Sequence, residues 1–158
     1  VGLIGLPNAG KTSLLNELTR AKAKVANYAF TTLEPNLGIS RSGHIIADIP
    51  GLIEGAAAGR GLGIKFLKHI ERTKLLLHCV SAESADIIKD YHTVRTELAN
   101  YSSALAQKPE IIILTKSDTV DPDRLTSLQN KIGADLVTSI IDTDSIKHLS
   151  DFIAKKLS

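Results

Sequence analysis

The sequence lacks most of the features that would mark a special environment. One cysteine, Cys79, stands among 158 residues, so no disulfide framework can form within the chain and a reducing compartment is the default. Cys79 falls in the apolar run 75–80 and is expected as a buried strand residue. No stretch approaches the ~18 apolar residues of a membrane span, and no signal peptide is visible. An excess of charge is also missing. Nineteen basic against seventeen acidic residues leave a formal +2, too even to argue by itself for nucleic acid or a membrane surface. The histidines His44, His69, His78, His92 and His148 are scattered, without the spacing of metal ligands, and each is expected to be structural or solvated. There is no internal repeat and no low-complexity tract. What is present is a 43% hydrophobic share in a length that fits one domain.

Apolar runs alternate with helical patterns along the chain. VGLIGL (1–6) reads as a short buried strand, and 11–20 as a helix with Leu14, Leu15 and Leu18 on one face. HIIADI (44–49) is a second strand, closed by Pro50-Gly51. A glycine-rich stretch, 55–63, precedes a helical pattern over 64–73. LLLHCV (75–80) and EIIILT (110–115) are further buried strands, separated by an amphipathic helix over 84–106 that carries Ile87, Ile88, Tyr91, Val94 and Leu98. Asp121-Pro122 opens a helix to about residue 132. ADLVTSI (134–140) is the last strand, and 145–157 a closing helix. This alternation predicts a parallel sheet covered on both faces, with ligands at the carboxyl ends of its strands.

The first strand-to-helix turn carries GLPNAGKT, which fits G-x-x-x-x-G-K-[ST] at every defined position: Gly5, Leu6, Pro7, Asn8, Ala9, Gly10, Lys11 and Thr12, with Ser13 following. The glycines let the backbone curl so that successive N–H groups face phosphate oxygens. The helix that starts near Lys11 adds its positive end. The Lys11 ammonium can reach the β- and γ-phosphates, and the Thr12 hydroxyl can ligate Mg²⁺. The pattern predicts an α/β, P-loop NTPase three-layer fold, with a mostly parallel sheet of about six strands and helices on both faces.

Asp48-Ile49-Pro50-Gly51 lies at the end of the second apolar run, 36 residues or so after Lys11. A carboxylate there suits Mg²⁺ through a water, and Gly51 suits a backbone N–H to the γ-phosphate. Between them, Phe30-Thr31-Thr32-Leu33, followed by Glu34, supplies threonines able to close on Mg²⁺ and the γ-phosphate. Thr115-Lys116-Ser117-Asp118 follows the strand EIIIL. The Asp118 carboxylate can accept two hydrogen bonds from guanine N1–H and the 2-amino group, a donor pair that adenine lacks, while the Lys116 stem packs along the base. Ser139 and Ile140 end the last strand, with Ile141 following, and a backbone N–H there could meet guanine O6.

Taken together, these residues resemble the Obg family of translation-associated GTPases, within the P-loop GTPases. The specific stretches are LPNAGKTSLLNELT, VANYAFTTLEPNLGI, ADIPGLIEGAAAGRGLGIKFLKHIERT and LLLH. The resemblance covers essentially all of 1–158 as that family's G domain, and implies a fragment of a longer protein without the family's glycine-rich N-terminal domain. It implies GTP and GDP binding, slow hydrolysis, and work with the large ribosomal subunit in ribosome assembly and stress response. A cytoplasmic, monomeric protein is expected. By position it assigns Thr12 and Thr32 to Mg²⁺, Asp48 to Mg²⁺ through water, Gly51 to switch II, Lys116 and Asp118 to the guanine, and Ser139 with Ile140 to the last guanine loop. Lys11, Thr32 and Gly51 would carry the catalysis.

The chain departs from the family at Thr115, where Asn is usual, at Ser139-Ile140-Ile141, where a glycine-bearing turn usually follows Ser-Ala, and at Val80-Ser81, where an aspartate is common. Leu52 stands where many GTPases place a water-orienting glutamine. Charge neutralisation by Lys11, Mg²⁺ and backbone N–H groups is then left to carry the rate, which predicts slow intrinsic turnover. Asn8 resembles the asparagine of potassium-activated GTPases and is a candidate K⁺ ligand. Arg60, in the glycine-rich segment, is a weaker candidate for a charge contact. Two other readings stay open: a nucleotide-dependent ribosome-docking module with negligible intrinsic hydrolysis, and an ATPase with relaxed base choice.

Overall fold

The computed structural model describes residues 1–19, 24–25, 36–48 and 71–158. The described strands are β1 (Gly2–Ile4), β2 (Lys24–Val25), β3 (Asn36–Ile39), β4 (Ile45–Asp48), β5 (Leu76–Ser81), β6 (Glu110–Thr115) and β7 (Leu136–Val137). The described helices are α1 (Lys11–Leu18), α2 (Ile87–Tyr101), α3 (Ser103–Ala106), α4 (Pro122–Ile132) and α5 (Thr143–Leu157), with a 3₁₀ turn at Ser117–Thr119. One sheet of seven strands runs in the order β2-β3-β4-β1-β5-β6-β7. β4, β1, β5, β6 and β7 are parallel, and β3 and β2 add an antiparallel edge.

Alternation along the central strands sorts the core onto two faces. Leu77 and Cys79 of β5, with Ile111 and Ile113 of β6, pack with Leu14, Leu15 and Leu18 of α1 and Ile146, Leu149 and Ile153 of α5. Val80 and Leu114 turn the other way, toward Ile87 of α2 and Leu128 of α4. Each fully buried Leu or Ile contributes about 1.5–3 kcal/mol. Helices therefore cover both faces of the sheet, and the expected α/β architecture stands. Cys79 is 1% exposed, and burial pushes its thiol up to about 12.

Three expectations shift in detail. The helix expected over 84–106 breaks at Ser102, which takes an extended conformation and caps α3 by accepting from Leu105 N–H. Its hydroxyl also donates to Glu71 Oε1 at 2.8 Å, so the break is anchored on both sides. The strand expected over 134–140 is only Leu136–Val137: Thr138 N–H still donates to the Leu114 carbonyl of β6, but Ser139 N–H turns to the Ser145 hydroxyl and the chain enters a side-chain-bonded loop. β2 and β3 were not expected as strands and bring the count to seven from about six. They are short, and Asn36 and Gly38 carry weak strand propensity. Register is set instead by pairing: β3 against β4, with Ile39 opposite Ile45 and Gly38 opposite Ile46, and β2 against β3, with Lys24 opposite Leu37. The glycine-rich stretch 55–63, most of the helical pattern 64–73, and with them Arg60 and His69, lie outside the described residues.

The scattered histidines separate by environment. His78 is fully buried on β5 with its ring stacked on Tyr91, centroids 4.8 Å apart. His92 and His148 are exposed. His44 accepts or donates at Ser42 Oγ, 2.9 Å away, in the β3–β4 turn. Beside His78, Glu110 pairs with Arg95 at 2.7 Å and receives the Tyr91 hydroxyl at 3.2 Å. Burial pulls the Glu110 carboxyl up, but His78, Arg95 and Tyr91 outweigh it and hold it below the ordinary carboxylate value.

Candidate functional site

The carboxyl ends of β1, β4, β5 and β6 open on one edge of the sheet, and the sequence motifs meet there, as expected for a parallel α/β sheet. Leaving β1, the chain turns at Gly5 with φ +155°, and a Cβ at this position would lie 2.5 Å from the Cys79 carbonyl oxygen. Only glycine lets the loop pass this close to β5. The loop is pinned by Ala9 N–H donating to the Leu6 carbonyl at 3.0 Å. It ends at Gly10, which has φ +82° and is the N-cap of α1. Gly10 supplies no side-chain cap, so the first turn of α1 keeps its N–H groups facing the loop with their positive dipole end. This is the arrangement that attracts an anion.

Lys11 reaches back across the loop. Its ammonium donates to the Gly5 carbonyl at 3.0 Å and stands 3.8 Å from Asp48 Oδ1. Thr12 Oγ1 donates to Asp48 Oδ2 at 2.9 Å. The 36-residue separation between Thr12 and Asp48 is closed by β1 and β4 pairing in parallel, with Leu3 opposite Asp48. Asp48 is 5% exposed, yet its Oδ1 has no hydrogen-bond partner. A buried carboxylate oxygen left this way, beside a hydroxyl, suits a hard cation that takes oxygen ligands. Among the described residues no group of three His, Cys, Asp or Glu side chains forms a metal cluster. Mg²⁺ needs none, since it takes one or two protein oxygens and fills its octahedron with phosphate and water.

The second part of the site, at the end of β6, lies beside α1. Thr115, 3% exposed at the end of β6, donates to the Ala9 carbonyl at 2.8 Å and lies 3.3 Å from the Val80 carbonyl. One hydroxyl thereby ties β6 to the phosphate loop and to β5. Lys116 has φ +57°, a left-handed conformation costly for a side-chain-bearing residue. Its carbonyl is held by Thr119 N–H at 3.1 Å and Thr119 Oγ1 at 2.7 Å. The lysine stem runs beside Gly10, and its ammonium pairs with Glu83 at 3.3 Å. Asp118 Oδ1 accepts from Ser139 Oγ at 2.7 Å. A pocket of about 70 Å³ opens between Gly10, Leu14, Thr115, Lys116, Asp118 and Ile140.

Among the described residues, the fold thus brings together the phosphate loop 5–13, Asp48, Thr115, Lys116, Ser117, Asp118, Ser139, Ile140 and Ile141. Phe30, Thr31, Thr32, Leu33, Glu34, Ile49, Pro50, Gly51 and Leu52 lie outside the described residues. Asn8 is exposed on the loop and borders a cavity of about 10 Å³ shared with His78, Ser81 and Asp90. Glu83 was not singled out by sequence. A glutamate after a buried strand is an ordinary loop residue, and only the parallel pairing of β5 with β6 places it at Lys116.

Comparison with known proteins agrees with this geometry. Residues 1–116 match the family model described as 50S ribosome-binding GTPase. The protein called GTPase Obg from Thermosynechococcus vestitus is 50% identical over 138 residues, which are 85% of this chain and 41% of that protein. GTPase Obg from Synechococcus sp. is 45% identical over 150 residues, 92% of this chain and 43% of that protein. The chain therefore spans less than half the length of these relatives. In fold it is similar to the crystal structure of the G domain of the T. maritima FeoB iron transporter, with a TM-score of 0.65 at 24% identity, covering 99% of this chain and 97% of that one. With the family model matched over most of its length, and with the phosphate loop, Asp48 and Asp118 in place at one sheet edge, the chain belongs to the 50S ribosome-binding GTPase family.

Proposed function

We propose that this chain binds GTP and GDP and hydrolyses GTP slowly, as a molecular switch. The observation that carries this is the meeting of Lys11, Thr12 and Asp48 within 3.8 Å at the mouth of an uncapped helix, with Asp118 at the other end of the same edge. The loop N–H groups and Lys11 bind and orient the phosphates, and the ammonium offsets charge that develops on the β–γ bridging oxygen as the P–O bond breaks. Thr12 and Asp48 would hold Mg²⁺, which when bound neutralises the β- and γ-phosphate charge. The remaining assignments are part of this proposal. They are Thr32 on Mg²⁺, Gly51 at the γ-phosphate, Phe30 to Glu34 and Ile49-Pro50 around the nucleotide, and Asn8 on K⁺. Asp118 selects guanine through its N1–H and 2-amino donors, with Ser139 orienting the carboxylate.

The family description, 50S ribosome-binding GTPase, supports a role with the large ribosomal subunit; a part in its assembly and in stress response, in the cytoplasm, belongs to the same proposal. Leu52, an aliphatic residue after the switch II glycine, supports slow intrinsic turnover and keeps the docking-module reading as the second choice. Calorimetric titration with GDP and ADP in Mg²⁺ tests the first step. A GDP preference of 100-fold or more, about 2.7 kcal/mol, is expected, and equal binding would refute guanine selection. Multiple-turnover GTP hydrolysis, with and without large ribosomal subunits, separates switch from docking module. Lys11→Ala should lower the rate about 10²–10³-fold. An equal rate in K⁺ and Na⁺, with Asn8→Ala unchanged, would remove K⁺ from the site.

A further inference from the structure

We infer that Ser145, on the first turn of α5, is the positioning residue that holds the glycine-free loop 138–142 in shape beside Asp118. The inference rests on guanine selection by this site. The loop 138–142 contains no glycine, so its backbone cannot rely on left-handed freedom and needs side-chain support. Ser145 Oγ sits at its centre. It accepts from Ser139 N–H at 3.1 Å, and it lies 2.8 Å from the Asp142 carbonyl and 3.1 Å from the Ser139 carbonyl. The Thr138 hydroxyl is 3.2 Å away. A hydroxyl has one proton and two lone pairs, so this one group serves one carbonyl while accepting from Ser139 N–H and Thr138 Oγ1. Thr138 and Ser139 are 1% and 2% exposed, and water cannot take over these bonds without opening the loop.

The consequence reaches the base pocket through Ser139. Because Ser145 satisfies the Ser139 backbone, the Ser139 side chain is left to donate to Asp118 at 2.7 Å and to accept from Ile141 N–H at 3.3 Å. Asp142 caps α5 through Asp144 and Ser145 N–H, at 3.1 and 3.4 Å. The helix start and the loop are thus one bonded unit. Loss of the Ser145 hydroxyl should let Ser139 turn away from Asp118 and should move the Ile140 N–H off guanine O6, while the phosphate loop is untouched.

The test is the affinity of the 158-residue chain for GDP, IDP and ADP, in wild type, Ser145→Ala, Ser145→Cys and Ser145→Thr. The expected result is a rise of about tenfold in Kd for GDP and IDP in Ser145→Ala, with ADP affinity unchanged, recovery in Ser145→Thr, and a graded loss in the nearly isosteric Ser145→Cys. A loss of stability alone would weaken all three nucleotides together. Unchanged GDP preference in Ser145→Ala, or a parallel loss of ADP binding, overturns the inference and leaves guanine selection standing. Should Ser145→Ala fail to fold, an undiminished GDP-to-ADP ratio in Ser145→Cys overturns it equally. A wild-type chain that binds GDP and ADP alike overturns guanine selection itself, and this inference with it.

Discussion

Replacing Thr115 by valine isolates one hydroxyl at the junction of three elements. Valine keeps the β-branched shape, so the substitution leaves almost no cavity and the packing cost is small. What disappears is the donor to the Ala9 carbonyl at 2.8 Å, on a residue only 2% exposed, together with the weaker approach to Val80 at 3.3 Å. A buried carbonyl that loses its partner costs about 1–3 kcal/mol. At this chain length each kcal/mol lowers Tm by about 2–4 °C, so Thr115→Val should melt about 2–12 °C below wild type. Urea denaturation should show a lower midpoint with an unchanged slope, since no additional surface is exposed. Thr115→Ser keeps the hydroxyl and loses only a methyl group, so its nucleotide affinity should exceed that of Thr115→Val. Because the bond joins the segment proposed to read the base to the phosphate loop, GDP affinity should fall together with stability. A Thr115→Val chain as stable as wild type, or one destabilised with GDP affinity intact, would refute the bridging role.

Other outcomes follow from the same geometry. Gly5→Ala should abolish nucleotide binding and strongly destabilise the chain, because its Cβ would stand 2.5 Å from the Cys79 carbonyl; wild-type melting and GDP binding in that variant would refute the close-approach argument. Glu110 has a folded-state pKa below its ordinary value, so its pairing stabilises the protein above about pH 4.5 and is lost as pH falls through the lowered value. Melting measured from pH 6 to pH 3 should therefore drop less steeply in Glu110→Gln, and identical slopes would contradict this. Cys79, buried and with its thiol pushed up to about 12, should resist alkylation at pH 8.5 in the native chain and react after unfolding in guanidinium; rapid native labelling would show that β5 is open to solvent. Removal of Mg²⁺ by a chelator should weaken GTP more than GDP, since Thr12 and Asp48 would hold the ion at the phosphates; equal loss for both would place the ion elsewhere.

Much of this protein can be read from the order of its residues, for local reasons. The phosphate loop needs glycine conformations and a lysine at fixed spacing, and 5–12 displays both within eight positions. Buried central strands of a parallel sheet are continuous apolar runs, so β1, β4, β5 and β6 stand out as such. Asp121-Pro122 announces the start of α4 through its cap and its proline at the first turn. Asp48 and Asp118 could be nominated because a carboxylate after an apolar run has few structural reasons to be there.

The rest depends on contacts between residues far apart in the chain, which no local pattern encodes. β3 is a strand because β4 offers it an edge, and β2 because β3 in turn offers one, not because of their own propensity. The helix over 84–106 breaks because Ser102 finds Glu71, 31 residues away. Thr115 reads in sequence as the first residue of the Thr115–Asp118 motif, and its tie to the Ala9 carbonyl, 106 residues distant, is visible only in the fold. Sequence order thus determined which groups this protein has to offer a nucleotide. Packing of the sheet decided which of them face one another, since hydrogen bonds act over about 3 Å and only the folded chain brings such groups that close.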